Sequence, residues 1–328
     1  MIPYSLARFA GAILAILAIC AVAAPSAHAQ SDSQPVRLIV GSAAGSAPDM
    51  FARLLAEGMS GRLGQTVLVE NRSGANGNIA AQAVLQQAAD GNTLWVGTQS
   101  MVEINPSAFQ QMPWKPEDFT PIIKAVEAPL VLAAHPSVPA TDFKSLISWL
   151  ESRKGSVSYA SFSPGTPSHF LGHQLSDRFK LDLVHIPYRG SAPQVTDLMG
   201  GHALIGFTQL QSALPAVQGN RLKAFATTGA TRTRQMPDVP TLHELGLPEF
   251  DTTIWFGLLA PAKTPVARID AVRDAAAQAL ADPDMRSKLE EAGFDVSGQT
   301  GEPFVRSIEQ QRTRWAALVK ATGFSATE

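Results

Sequence analysis

Residues able to do chemistry concentrate at three turns. Ser42-Ala43-Ala44-Gly45-Ser46-Ala47-Pro48-Asp49 ends an apolar run and opens an amphipathic one, with no base or metal-ligand set inside it. "SFSPGTPSHFLG" (Ser161 to Gly172) places hydroxyls at Ser161, Ser163, Thr166 and Ser168 around Gly165 and His169. "PYRGSAPQVTDLMGG" (Pro187 to Gly201) adds Gly190 and Ser191. The chemistry these residues offer is hydrogen-bond donation to an anion. A helix's first turn carries unpaired N–H groups and a partial positive charge, and small residues let an anion reach them. The first turn alone fits a capped helix start equally well. Three such turns spread along the chain predict a cleft in which neutral donors hold a carboxylate. Gln99 and Ser100, directly after the run "TLWVG", join the predicted lining.

Other side chains read differently. His169 at a helix start either touches a ligand carboxylate or bonds within its own turn. Arg189 is expected to be a solvated surface charge, and the five tryptophans to be packing residues. "NRSGANGN" (Asn71 to Asn78) lacks the spacing of a dinucleotide or phosphate loop and reads as a tight turn with self-bonding Asn71 and Asn78. For a hydrolase, the G-x-S-x-G elbow is missing: "GSAAG" has its serine misplaced and "GTPSH" lacks the flanking glycines. No histidine pair has zinc spacing. The expectation is a binding protein, not an enzyme, with no metal and no cofactor.

Positioning these turns requires strands that alternate with helices, the pattern of a parallel α/β fold. "VRLIV", "TVLVE" and "TLWVG" are predicted strands, with helices near Asp49–Leu63 and Ile79–Ala88 between them. The plan recurs in "SVSYASF", "LDLVHI" and "ALIGF", with helices near Ser168–Phe179 and Ala192–Met199; "LKAFATT" continues the second sheet. Farther on, Thr264 is the expected N-cap of a helix with Pro265 at its first position. The helix near Glu302–Thr322 carries Phe304, Ile308, Trp315 and Leu318 at a spacing that packs on a lobe.

The N-terminus combines Arg8, the run "AGAILAILAICAVAA" and an Ala27-His28-Ala29 site, which together predict a secretory signal peptide (residues 1–29) cleaved after Ala29. The run is shorter than the ~20 residues of a membrane span. Ile19 is too large for a lipoprotein site at Cys20, the only cysteine, so cleavage leaves a thiol-free periplasmic protein. Without Arg8, 25 basic residues face 28 acidic ones, no footprint for nucleic acid.

At its turns the chain resembles the Bug family of periplasmic solute-binding receptors associated with tripartite tricarboxylate transporters. The resemblance rests on "RLGQTVLVENRSGANGNIAA", "DGNTLWVGT", "GTPSH", "PYRGSAP", "PDVPTLHELGLPEF" and "WFGLLAPAKTP", in that order along nearly the whole mature chain. It implies an α/β fold of two doubly wound lobes with a ligand cleft between them, joined by two crossover strands. Lobe 1 would comprise residues 30–128 and 254–328, and lobe 2 residues 129–253. It also implies a monomer that closes on a small carboxylate ligand, an organic acid and in some members an aromatic one. Its partners would be the membrane subunits of a tripartite tricarboxylate-type transporter; a co-receptor for a membrane sensor would share the same sequence features. Ser42 and Pro48 depart from the family's first loop. Thr208 stands in the segment where many members carry an aspartate that partners an amine, which favours a plain carboxylic acid over an α-amino acid.

Overall fold

The computed structural model describes residues 34–326; the predicted signal peptide and Cys20 lie outside the described residues. Val36–Val40 forms β1, flanked in parallel by β2 (Val67–Asn71) and β3 (Thr93–Thr98). The three strands of the second set repeat that arrangement: β5 (Ser158–Ser161) lies between β6 (Val184–Pro187) and β7 (Ile205–Gln209), both parallel to it. In each set the first strand in sequence is central, as right-handed crossovers through helices allow. α1 (Ala47–Leu63) and α2 (Asn78–Leu85) make the connections in the first set. α5 (Pro167–Phe179) and α6 (Ser191–Met199) make them in the second, between the short α3 (Asn105–Ala108) and α4 (Phe143–Glu151) and the following α7 (Leu210–Gln218).

Two long antiparallel strands join the sets. β4 (Phe119–Ala134) pairs with β9 (Thr253–Pro261) from Phe119↔Pro261 to Pro129↔Thr253. Beyond Pro129, β4 leaves β9 and pairs with β7 and with β8 (Lys223–Thr227). The order is β2-β1-β3-β9-β4-β7-β5-β6, with β10 (Asp295–Thr300) also on β4. The expected two-part α/β fold is present, and the predicted strands and helices fall within a few residues of their observed bounds.

The strands are apolar because both faces are covered. On one face Phe51 of α1 stacks near Phe256 of β9, with Phe294 edge-on to both. α8 (Val266–Ala281) and α9 (Pro283–Glu291) follow β9 and cover the same core through Val272, Ala276 and Leu289. α10 (Gly301–Thr322) buries Phe304, Ile308, Trp315 and Val319, with Leu318 partly covered. Trp315 and Phe324 meet Phe170 of α5, so this helix packs against both strand sets.

The predicted cap at Thr264 is not there. The Thr264 N–H donates to the Pro261 carbonyl within a turn, and the Pro265 carbonyl accepts the first helical N–H groups, from Arg268 and Ile269. Pro265 is therefore the N-cap and the helix starts one residue later.

Candidate functional site

A cavity of about 770 Å³ opens at the carboxyl ends of the parallel strands of both sets. That is where ligands sit in open α/β sheets. The turn from β1 to α1 supplies Ser42, Ala43, Ala44 and Ser46 to its wall. Gly45 makes this turn with φ +78°, a left-handed conformation that suits glycine. The Gly45 N–H donates to Asp49 Oδ2 at 2.9 Å, Arg53 Nε donates to the same oxygen at 3.0 Å, and Asn71 Nδ2 donates to Asp49 Oδ1 at 2.9 Å. Asn71 Nδ2 also donates to the Ser42 carbonyl at 3.0 Å. Burial pushes the Asp49 carboxyl up, but the bonds from Arg53, Gly45 and Asn71 outweigh it and hold it below its ordinary range. Asp49 is thus a buried staple behind the turn. Ala47 is buried at the helix start. Neither these two nor Gly45 lines the cavity, unlike their neighbours.

Beside this turn, Ser73, Gly74, Ala75 and Asn76 line the cavity from the segment after β2. The prediction of a self-bonded turn fails here. Asn76 Nδ2 donates to Asn105 Oδ1 at 2.7 Å, Asn78 Oδ1 accepts from Asn105 and from Trp114 Nε1, and Asn71 reaches the first turn. These asparagines tie neighbouring loops together, and leave the segment between them facing the cavity. Because it follows a strand's carboxyl end, the rule used for the other turns applied to it as well. Gln99 and Ser100 also line the cavity, where β3 passes into a single π-helical turn, Ser100–Ile104. Within that turn, buried Glu103 accepts from Trp255 Nε1 at 2.7 Å. Burial raises its carboxyl to about 8, against the opposing pull of Trp255, Lys124, Gln99 and Arg312.

The second strand set contributes Ser163, Thr166, Gly190 and Ser191, as expected, and also Phe162, Tyr188, Arg189 and Gln209. Five expected residues of this set point elsewhere. Gly165 faces Phe324, whose ring would lie 3.1 Å from an added Cβ. Ser161 is fully buried, with Oγ 2.6 Å from His185 Nε2, and Ser168 donates to the Phe207 carbonyl. His169 stacks on His185 with centroids 4.0 Å apart and accepts at Nδ1 from the Gly165 N–H. Burial first, and then the neighbouring histidines, lowers His169 to about 3; burial lowers His185 to about 4. Both rings are neutral packing groups near pH 7. Thr208 is also fully buried on β7, and Gln209 lines the cavity instead. Side chains alternate along a strand, so a shift of one residue exchanges the two faces. Arg189, expected on the free surface, stands at the cavity wall.

Four helices open onto this cavity at their N-caps: Ser46 of α1, Thr166 of α5, Gly190 of α6 and Gln209 of α7. None of the four has a side-chain cap bond. An uncapped start is not special to these four: α8 and α10 also begin without a side-chain cap, and among the described α-helices only α4 and α9 have one, from Asp142 and Asp282. Among the described residues the lining contains no acidic side chain, and Arg189 is its only charged one. Four helix dipoles of the same sign and one cation give the wall a positive bias, which suits an anion better than a cation.

Two similar strand sets with a cavity at their carboxyl ends are the architecture of the α/β solute-binding proteins. Residues 51–324 match the model of the tripartite tricarboxylate transporter family receptor, and the chain belongs to that family. Protein BugT of Bordetella pertussis is 31% identical, over 97% of this chain and 98% of its own. An R. palustris protein solved with adipate superposes with a TM-score of 0.84 at 30% identity, covering 89% of this chain and 98% of that one. MatC from Rhodopseudomonas palustris, solved with bound malate, gives 0.79 at 30% identity, covering 87% and 98%. Family and fold are those of periplasmic solute-binding receptors, and among the described residues no helix is long and apolar enough to cross a membrane.

Proposed function

We propose that the protein captures a small organic carboxylate in the periplasm and presents it to the membrane subunits of a tripartite tricarboxylate-type transporter. One observation carries the reading: four uncapped helix N-termini and one arginine face a cavity whose lining has no acidic side chain. The neighbours solved with adipate and malate support it. The carboxylate is held by the hydroxyls of Ser42 and Ser46 and the N–H groups of Ala43 and Ala44 on one side and by Ser163 and Thr166 on the other. The Gly45, Ser46 and Gly165 N–H groups are already taken by Asp49, Ala43 and His169. Hydrogen bonds to a charged acceptor are roughly twice as strong as neutral ones.

Binding closes two lobes, residues 30–128 with 254–328 and residues 129–253, which bend where β4 leaves β9 at Pro129↔Thr253. Export follows cleavage after Ala29, and intact-mass measurement of protein from the periplasm checks that boundary. A thermal-shift screen of the mature protein against mono-, di- and aromatic carboxylates, with amines of matched size, tests the ligand class. Stabilisation by acids alone is the expected outcome; stabilisation by amines alone contradicts the reading. Crosslinked pull-down from membranes tests the partner, and capture of a sensor kinase in place of transporter subunits would reassign the receptor.

A further inference from the structure

The π-helical turn behind the cavity holds an acid that the lining does not include. Glu103 is 1% exposed; its Oε1 accepts from Trp255 Nε1 at 2.7 Å, and its Oε2 has no hydrogen-bond partner among the described residues. One turn earlier Gln99, only 3% exposed, lines the cavity, and its side chain lies against the Glu103 carboxyl. The Gln99 amide oxygen is likewise buried without a partner. Two orphaned acceptors on neighbouring side chains lack a donor between them, and buried polar groups are rarely left unpaired. A proton on Glu103 Oε2 supplies that donor.

The charged groups that face Glu103 are Lys124 of β4 and Arg312 of α10. Lys124 pairs with Glu127, Arg312 Nε donates to the Val102 carbonyl at 2.9 Å, and neither closes an ion pair on Glu103 among the described residues. α3, β3 and the segment Ala75–Gly77, which also pack on this turn, bring no ionisable side chain. Burial therefore outweighs both cations and holds the carboxyl up at about 8.

We propose that Glu103 is a positioning residue for anion capture: it takes up a proton as the anion enters, and its hydroxyl then turns the Gln99 NH2 toward the cavity. This rests on the carboxylate reading above. An ionised Glu103 takes the NH2 for itself, leaves the amide oxygen toward the solute, and adds a negative charge behind it. A protonated Glu103 donates to the amide oxygen instead and adds no charge. The amide fits either way round, so the proton on Glu103 decides which end meets the solute. An anion selects the protonated form, and by linkage the protonated form binds the anion more tightly. The proton comes from solvent, so affinity falls as pH rises through the acid's range.

Calorimetry of the mature, ligand-stripped protein with adipate and with malate, both fully ionised above pH 7, tests this in buffers of contrasting ionisation enthalpy. Uptake of about half a proton per solute is expected at pH 8, with an affinity loss of about fivefold or more between pH 7 and pH 9. Glu103→Gln puts an NH2 where the proton sits and should keep the pH 7 affinity throughout that range, with no proton taken up. A merely structural Glu103 would leave the pH profile of binding unchanged in this variant. Gln99→Met should shrink the uptake, because it removes the amide that the proton orients. Affinity independent of pH in the unmodified protein, or uptake that persists in Glu103→Gln, overturns the proposal and leaves the carboxylate reading standing. Binding of neither acid at pH 7 overturns both.

Discussion

Asp49 accepts from Gly45, Arg53 and Asn71, so the residue that shapes the ligand-facing turn is itself hidden from the ligand. Asp49→Ala removes three hydrogen bonds to one carboxylate at once; their donors are exposed or half-buried and can turn to water, so the expected cost is about 1–3 kcal/mol in all. Chemical denaturation should register that loss, and calorimetry should register weaker carboxylate binding although no lining side chain has changed. Ser46→Leu should instead abolish binding at nearly unchanged stability, because Ser46 lines the cavity and its bulk would fill the anion's place. Gly165→Val acts by a third route. Gly165 has φ +68° and faces Phe324, so the variant should lower the unfolding midpoint first and affinity only as a consequence. At this scale the sequence was legible where types alone decide: the small residues Ser42, Ala43, Ala44 and Ser46 mark a turn that does line the cavity. It was illegible where facing decides. Thr208 and Gln209 are adjacent and both polar, and only the register of β7 between β4 and β5 says which one meets the ligand.

The pH behaviour belongs to elements. The His169–His185 stack joins α5 to β6, and both rings are held neutral by burial. Their folded-state values, about 3 and about 4, lie below the ordinary 6.5. The unfolded chain therefore binds more protons than the folded one in that window, and stability falls as pH drops from 6.5 through about 4. His185→Phe should flatten the acid side of a plot of unfolding midpoint against pH. Glu103 in the π turn has the opposite sign. Its folded-state value of about 8 lies above the ordinary 4.5, so its stabilisation is complete below 4.5 and fades as pH rises through about 8. Glu103→Gln keeps an oxygen for Trp255 and should remove that slope. Strand-helix alternation and the repeated three-strand plan were both readable from hydrophobic period. The π turn was not, since nothing local in "QSMVEIN" separates it from an ordinary helix start; burial against β9 and α10 creates the raised carboxyl.

Across the whole molecule, residues 129–253 are tied to the rest at points away from the cavity. Arg314 donates to the Asp251 carbonyl at 2.8 Å and to the Glu249 carbonyl at 3.0 Å, and Gln211 donates to the Gly293 carbonyl at 2.7 Å. On the proposed two-lobe division these bonds cross from one lobe to the other and hold the arrangement observed. Arg314→Ala should then speed ligand release several-fold with little change in association, as affinity changes in one site mostly appear in koff; stopped-flow fluorescence reads both rates. No local pattern in the sequence announces such bonds, because each joins residues far apart in the chain through backbone carbonyls. On the proposed function, helix N-termini and Arg189 hold a charged acid. Calorimetry of the ligand-stripped protein with adipate and with adipamide, its uncharged isostere, tests this most directly. Adipate is expected to bind at least about a hundredfold more tightly, as loss of charge-assisted bonds at the site implies. Equal affinity for the two, or preference for the amide, would contradict it.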